Sequence, residues 1–133
     1  MRIKTVRQLD ETDCGAACIA TVLKYYGRSV PIRKIRKEAG TDKIGTSGFG
    51  IIKAAKKYGL SCKGFSSPDK SKIVKIPLPA IFHTQQGADH YMVVYKVSNK
   101  NVFVCDPAIG TRKIDHEEFN KIWTGVFFIL LEK

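Results

Sequence analysis

Apolar residues recur at helical spacing three times in the first sixty positions, and at strand spacing after that. Ile19, Val22, Leu23 and Tyr26 predict a helix over residues 14–26, stopped by Gly27. Ile32 and Ile35 predict a second helix, with Pro31 near its first position and Gly40 at its end. Ile51, Ile52, Ala55 and Tyr58 predict a third, starting at Ser47 or Gly48 and stopped by Gly59. Residues 3–13 lack helical period and read as an extended arm, and residues 41–48 read as a polar loop.

From Leu60 the period shortens to that of strands. Segments 60–65, 80–83, 90–97, 102–105, 111–114 and 126–131 read as strands. Residues 70–75 read as a short helix or turn, broken by Pro77 and Pro79. Residues 85–89 read as a turn, and Asn99-Lys100-Asn101 as a hairpin turn. Asp115 predicts the N-cap of a short helix, with Glu118 as its capping-box partner. Helices first and strands afterwards predict an α+β fold, with N-terminal helices packed on a C-terminal antiparallel sheet. The 133 residues suit one domain, 1–133, with no repeat or linker.

Composition narrows the setting. A 44% hydrophobic fraction describes a globular chain, not a disordered one. The longest apolar run, 126–131, fits a strand and is too short to span a bilayer. The N-terminus has no apolar signal region, so the chain is expected to be cytosolic or a soluble piece of something larger. Cys14, Cys18, Cys62 and Cys105 are then expected to be reduced. A net charge of +11 favours acidic partners. The local basic runs at 33–37 and 70–75 are explained as solvated faces, and no motif or aromatic-basic interleaving indicates nucleic-acid binding.

The chemistry begins at Cys14. A thiol in the first turn of a helix faces unpaired N–H groups and the positive end of the helix dipole, which favour the reactive thiolate. Asp13 stands where an N-cap residue would accept first-turn N–H groups. Gly15 leaves space beside the sulfur for another backbone to approach. A nucleophilic cysteine needs a base, and the base an orienting group. His116 falls on a short amphipathic helix, and His83 ends a strand beside a polar turn. His90 begins the most apolar strand, and the next strand ends in Cys105-Asp106-Pro107. If those strands form a hairpin through Asn99–Asn101, their far ends lie side by side and bring His90 to Asp106. The Cys14 N–H is one candidate oxyanion donor. The Gln8 amide on the arm is another, and spacing alone does not separate it from an ordinary exposed glutamine.

Gln8, Asp13-Cys14-Gly15, Tyr25-Tyr26-Gly27, Gly45-Thr46-Ser47, Gly59-Leu60, His90-Tyr91, Asp106-Pro107 with Gly110, Glu118-Phe119 and Trp123-Thr124-Gly125 occur in that order. Together they resemble the bacteriocin-processing, or double-glycine, peptidases, over nearly the whole chain. That family implies a papain-like fold and a cysteine peptidase, usually the N-terminal cytosolic domain of a peptide-exporting ABC transporter. It implies Cys14 as nucleophile, His90 as general base and acid, Asp106 as the group orienting His90, and Gln8 as the oxyanion donor. No cofactor and no metal are expected. The substrate would be the leader of a bacteriocin-like or lantibiotic-like precursor, cut after Gly-Gly or Gly-Ala; a narrow cleft over the sulfur suits residues with little side chain. An amphipathic leader helix would dock its apolar face in a groove and its acidic face on a basic surface. The partners would be that leader and covalently linked membrane and ATP-binding domains, on the cytoplasmic side of the membrane.

Two other readings compete. A silent domain of the same fold would only bind leaders, but the residues for chemistry are all in place. A structural metal site would use Cys14, Cys18, Cys62, Cys105, His83 and His90, but no second close pair completes it. Cys18, Cys62 and Cys105 read more simply as small buried apolar residues.

Overall fold

The computed structural model describes residues 2–42 and 45–133; Met1 lies outside them, as do Lys43 and Ile44 of the expected polar loop. Three helices lead the chain: α1 (Cys14–Tyr25), α2 (Ile32–Ala39) and α3 (Gly48–Lys57). The strands β1 (Leu60–Ser66), β2 (Ala80–Gln86), β3 (Ala88–Val97), β4 (Asn101–Asp106), β5 (Gly110–Asp115) and β6 (Trp123–Glu132) follow. A 3₁₀ turn (Lys70–Lys75) precedes β2, and α4 (His116–Ile122) precedes β6. The strands form one sheet in the order β1-β6-β2-β3-β4-β5, with every neighbouring pair antiparallel. This is the expected α+β arrangement.

Local chemistry explains most boundaries. Gly40 ends α2 in the left-handed conformation at φ 68°, which glycine reaches without a Cβ penalty. Ser47 caps α3 by accepting the Gly50 N–H, and Asp115 caps α4 by accepting the Glu118 N–H. The hairpin is closed by Ser98 N–H donating to the Asn101 carbonyl at 2.9 Å.

The strands outrun their expected limits in three places. The expected turn at 85–89 contracts to Gly87 at φ 86°, because Gln85 and Gln86 pair with Asp89 and Ala88. β4 and β5 pair out to Asp106 and Gly110. β6 begins at Trp123, directly after α4: Thr84 pairs with Trp123, and the indole N–H donates to the Val126 carbonyl at 3.0 Å. The expected strand at 126–131 is thus extended toward the N-terminus by packing of the indole.

Apolar residues fill both faces of the sheet. α1 to α3 and residues such as Ile81, Val93, Phe128 and Leu130 form one cluster. Phe82, Met92, Val104, Phe119, Trp123 and Phe127 form the other, under α4 and Ile73. α1 packs on the sheet and against both α2 and α3, and its residues from Cys14 to Leu23 are all buried. Gly15, Ala16, Ala17 and Ala20 keep its surface low enough for that position. No helix among the described residues is long and apolar enough to cross a membrane.

Candidate active site around Cys14

Cys14 is the first residue of α1 and is 7% exposed. Asp13 precedes it but does not cap the helix through its side chain, contrary to expectation. Its carboxylate, 1% exposed as a residue, accepts instead from Arg36 of α2 at 2.5 Å and from the Asp10 N–H at 3.2 Å. A buried carboxylate needs such partners, and a guanidinium satisfies it better than backbone N–H groups already bent into a helix. The result ties the arm down. Asp10 Oδ1 accepts from the Thr12 N–H and hydroxyl at 2.8 and 2.6 Å, so residues 10–13 form a braced turn into the nucleophile. The first turn of α1 therefore carries no side-chain cap from Asp13.

The hairpin delivers the second group. β3 and β4 pair from Val97 and Val102 to Val93 and Cys105, with an irregularity between Val94 and Lys96. His90 and Asp106 lie just beyond the last paired residues, Val93 and Cys105, at neighbouring strand ends. His90 Nε2 then donates to Asp106 Oδ1 at 2.8 Å. That orientation leaves Nδ1 free of Asp106, and Cys14 lies near enough to act on the His90 charge. Burial disfavours the charged imidazolium, but the hydrogen bonds and charges of Asp106 and Cys14 outweigh it and push the His90 pKa up to about 9. Burial likewise opposes ionised Asp106. The hydrogen bonds from His90 and the Ala108 N–H, with the Arg112 charge, prevail and hold it below the usual carboxylate value. Its Oδ2 accepts from Arg112 Nη2 at 3.3 Å.

The arm that carries Gln8 is fastened near Asp106. The arm is bonded to α1 through Val6 N–H and the Thr21 hydroxyl, and to β5 through Thr5 and Thr111. Gln8 N–H donates to the Pro107 carbonyl at 2.9 Å, one residue past Asp106. The arm therefore runs between the start of α1 and the β4–β5 turn.

A cleft of about 390 Å³ opens over the sulfur, lined by Cys14 together with Glu11, Thr46, His83, Asp89 and Tyr91. Tyr91 donates its hydroxyl to the Thr46 carbonyl at 3.0 Å and so holds the loop wall in place. Burial, with the nearby Cys14, pushes the Tyr91 phenol up to about 12, keeping it a donor. His83 faces Thr124 at 2.9 Å and Asp89 at 3.4 Å. Gly15 is needed for the wall: a Cβ there would lie 2.9 Å from Thr46 Cβ and 3.0 Å from Ile51 Cδ1. What approaches is side chain, not the backbone expected from sequence.

The other cysteines are free and buried. Burial raises the Cys18 and Cys105 thiols, Cys18 strongly, and pushes Cys62 up to about 11, as for inert packing residues. Among the described residues, no group of three His, Cys, Asp or Glu side chains is arranged to hold a metal ion.

Residues 2–133 match the Peptidase C39 family. The chain belongs to that family. It is 45% identical over 126 residues to the Lactococcin-G-processing and transport ATP-binding protein LagD of Lactococcus lactis subsp. lactis. That match covers 92% of this chain but 18% of LagD, so the chain spans a small part of that relative's length. The peptidase domain of Streptococcus ComA, a bi-functional ABC transporter, superposes with a TM-score of 0.91 at 32% identity, covering 99% of this chain and 100% of that one. A double glycine motif protease from an AMS/PCAT transporter, solved with a leader peptide, gives 0.92 at 32% identity, covering 99% and 93%. The fold is therefore papain-like α+β.

Within this C39 domain, sequence reasoning singled out Gln8, Cys14, His90 and Asp106. The structure hydrogen-bonds His90 to Asp106, puts Cys14 near His90, and ties the Gln8 backbone to Pro107. It missed Arg36, the Thr46–Tyr91 wall, the placement of His83 in the cleft, and Arg112. Only Arg112 had a readable signal. Asp106 opposes Gly110 and Val104 opposes Arg112, so alternation puts Arg112 on the face of Asp106.

Proposed function

We propose that this domain is a cysteine endopeptidase that removes the leader of a precursor peptide after a Gly-Gly or Gly-Ala pair. The carrying observation is the line from Cys14 through His90 to Asp106 at the edge of a cleft that Cys14 lines. In this reading Cys14 attacks the scissile carbonyl as a thiolate, and His90 gives its proton to the leaving amine as the C–N bond breaks. His90 then takes a proton from the water that hydrolyses the thioester. Asp106 keeps the imidazole oriented and favours its charged form. Gln8 and the Cys14 N–H donate to the oxyanion.

The domain acts as a single unit, residues 1–133, joined to the membrane-spanning and ATP-binding parts of a peptide exporter on the cytoplasmic side. Family membership supports the peptidase class, and relatives named for processing together with transport support the coupling to export. The substrate is a bacteriocin-like or lantibiotic-like precursor, whose acidic leader suits a chain of net charge +11.

The test is to incubate the domain with a synthetic Gly-Gly precursor and identify products by mass. Wild type should yield a leader ending in the Gly pair, and Cys14→Ala should yield none while still binding the peptide. Binding without cleavage by wild type would instead make this a leader-presenting domain, and cleavage by Cys14→Ala would move the nucleophile elsewhere.

A further inference from the structure

Among the described residues two buried polar side-chain atoms lack a partner: Oε1 of Gln8 and Nε of Arg112. One is an acceptor and the other a donor. Left alone, each costs desolvation free energy; paired, neither does. Both hang on the same step of the chain. Gln8 N–H donates to the Pro107 carbonyl at 2.9 Å, and Arg112 Nη2 donates to Asp106 Oδ2 at 3.3 Å. Arg7 adds a second tie between arm and turn by donating to the Ala108 carbonyl at 2.8 Å. The guanidinium is a planar fork in which Nε–H and one Nη2–H share an edge. With Nη2 on Asp106, Nε–H lies on the same edge of the guanidinium, beside the carboxylate whose next residue, Pro107, holds the arm.

We infer that Arg112 is a positioning residue that grips Asp106 through Nη2 and the Gln8 side-chain amide through Nε, so that Gln8 Nε2 is turned toward the oxyanion. The inference rests on the assignment of Gln8 as oxyanion donor proposed above. A single side chain would then hold the His90 orienter and the oxyanion donor in fixed relation. Gln8 sits on the arm and Asp106 at the very end of β4, and a guanidinium from the paired strand β5 would tie one to the other.

Arg112→Lys separates the two grips, because lysine keeps a cation for Asp106 but has no Nε–H. With a synthetic Gly-Gly precursor, kcat should fall about 10- to 100-fold, short of the full loss of an oxyanion donor, with KM within about two-fold. Alkylation of Cys14 by iodoacetamide forms no oxyanion and should stay within about two-fold of wild type. In a Gln8→Ala background the same substitution should cost less than about three-fold in kcat, because its target is gone. Wild-type kcat in Arg112→Lys, additive losses in the double variant, or an alkylation rate that falls in step with kcat would each overturn the inference. If Arg112→Lys does not fold, Arg112→Gln is read by the same kcat–KM split and the same cycle. A Gln8→Ala enzyme with full kcat would instead sink the underlying assignment of Gln8, and activity in Cys14→Ala the peptidase reading itself.

Discussion

The two faces of the sheet are packed from different residues. On the helical face, α1 contributes Gly15, Ala16, Ala17, Cys18 and Ala20, and α3 contributes Ala54 and Ala55. On the opposite face the rings of Phe82, Phe119, Trp123 and Phe127 stack and tilt against one another at 4.9 to 6.2 Å. Small residues let α1 pack closely on the sheet and on α2 and α3, and that closeness brings Cys14 near His90. Their cost is modest apolar area per residue. The aromatic face buries large area over few positions and holds the strands whose ends carry His90 and Asp106. One face sets where the reacting groups stand; the other keeps the platform under them.

This division is open to direct attack. The largest effect is expected from Asp106→Asn. It should lower kcat by about 10²- to 10⁴-fold with little change in KM, since it alters the orientation and charge of His90 and not the cleft. An unchanged rate would remove Asp106 from the chemistry. Phe82→Ala should instead lower stability by about 3–5 kcal/mol in denaturant titration, with the rate per folded molecule close to wild type. A rate loss comparable to that of Asp106→Asn would show that the faces do not act separately.

Gly15→Ala tests the helical face itself. The added methyl meets Thr46 and Ile51, so stability should fall by about 1–3 kcal/mol. Because Thr46 lines the cleft, KM for a Gly-Gly precursor should rise as well. A silent substitution would mean that the wall yields and does not set the width of the cleft.

The smallest effect is that of pH. The His90 pKa stands at about 9 against an ordinary 6.5, so the protonated imidazole is favoured in the fold. Its contribution to stability is complete below about pH 6.5 and is lost as pH rises through about 9. Asp106 shifts the other way: its contribution is present above the ordinary carboxylate value and is lost as acid protonates it below that value. Wild type should therefore lose both activity and thermal midpoint through pH 9. Asp106→Asn should move the alkaline limb of the rate profile to lower pH, because the largest favourable partner of the imidazolium is gone. A limb that stays in place would assign the raised pKa to Cys14 alone.

Much of the scaffold was legible because its signals are local. Helical periodicity, Gly27, Gly40 and Gly59 as stops, and Asp115 as a cap each depend on residues within a turn or two. The hairpin was legible for the same reason, since a short turn sets its register and hence the meeting of His90 with Asp106. Asp13 misled because its local preference for a cap loses to Arg36, which is distant in sequence. β6 begins three residues before the expected 126 because the Trp123 indole packs on Phe82 across the sheet, a contact no local spacing shows.

By itself the sequence determined the order of elements, the α+β class, a thiol at a helix start and a histidine–aspartate pair at the ends of one hairpin. Only the tertiary structure decided what surrounds them. The cleft joins a helix end, the loop at Thr46 and the strands of His83 and Tyr91, which no local spacing relates. The Asp13–Arg36 pair and the convergence of Gln8 and Arg112 on one turn are likewise contacts between separate elements. Which buried charge finds which partner is settled by the packing of the whole chain, because an unpaired buried charge is too costly to leave and its partner comes from wherever the fold brings one.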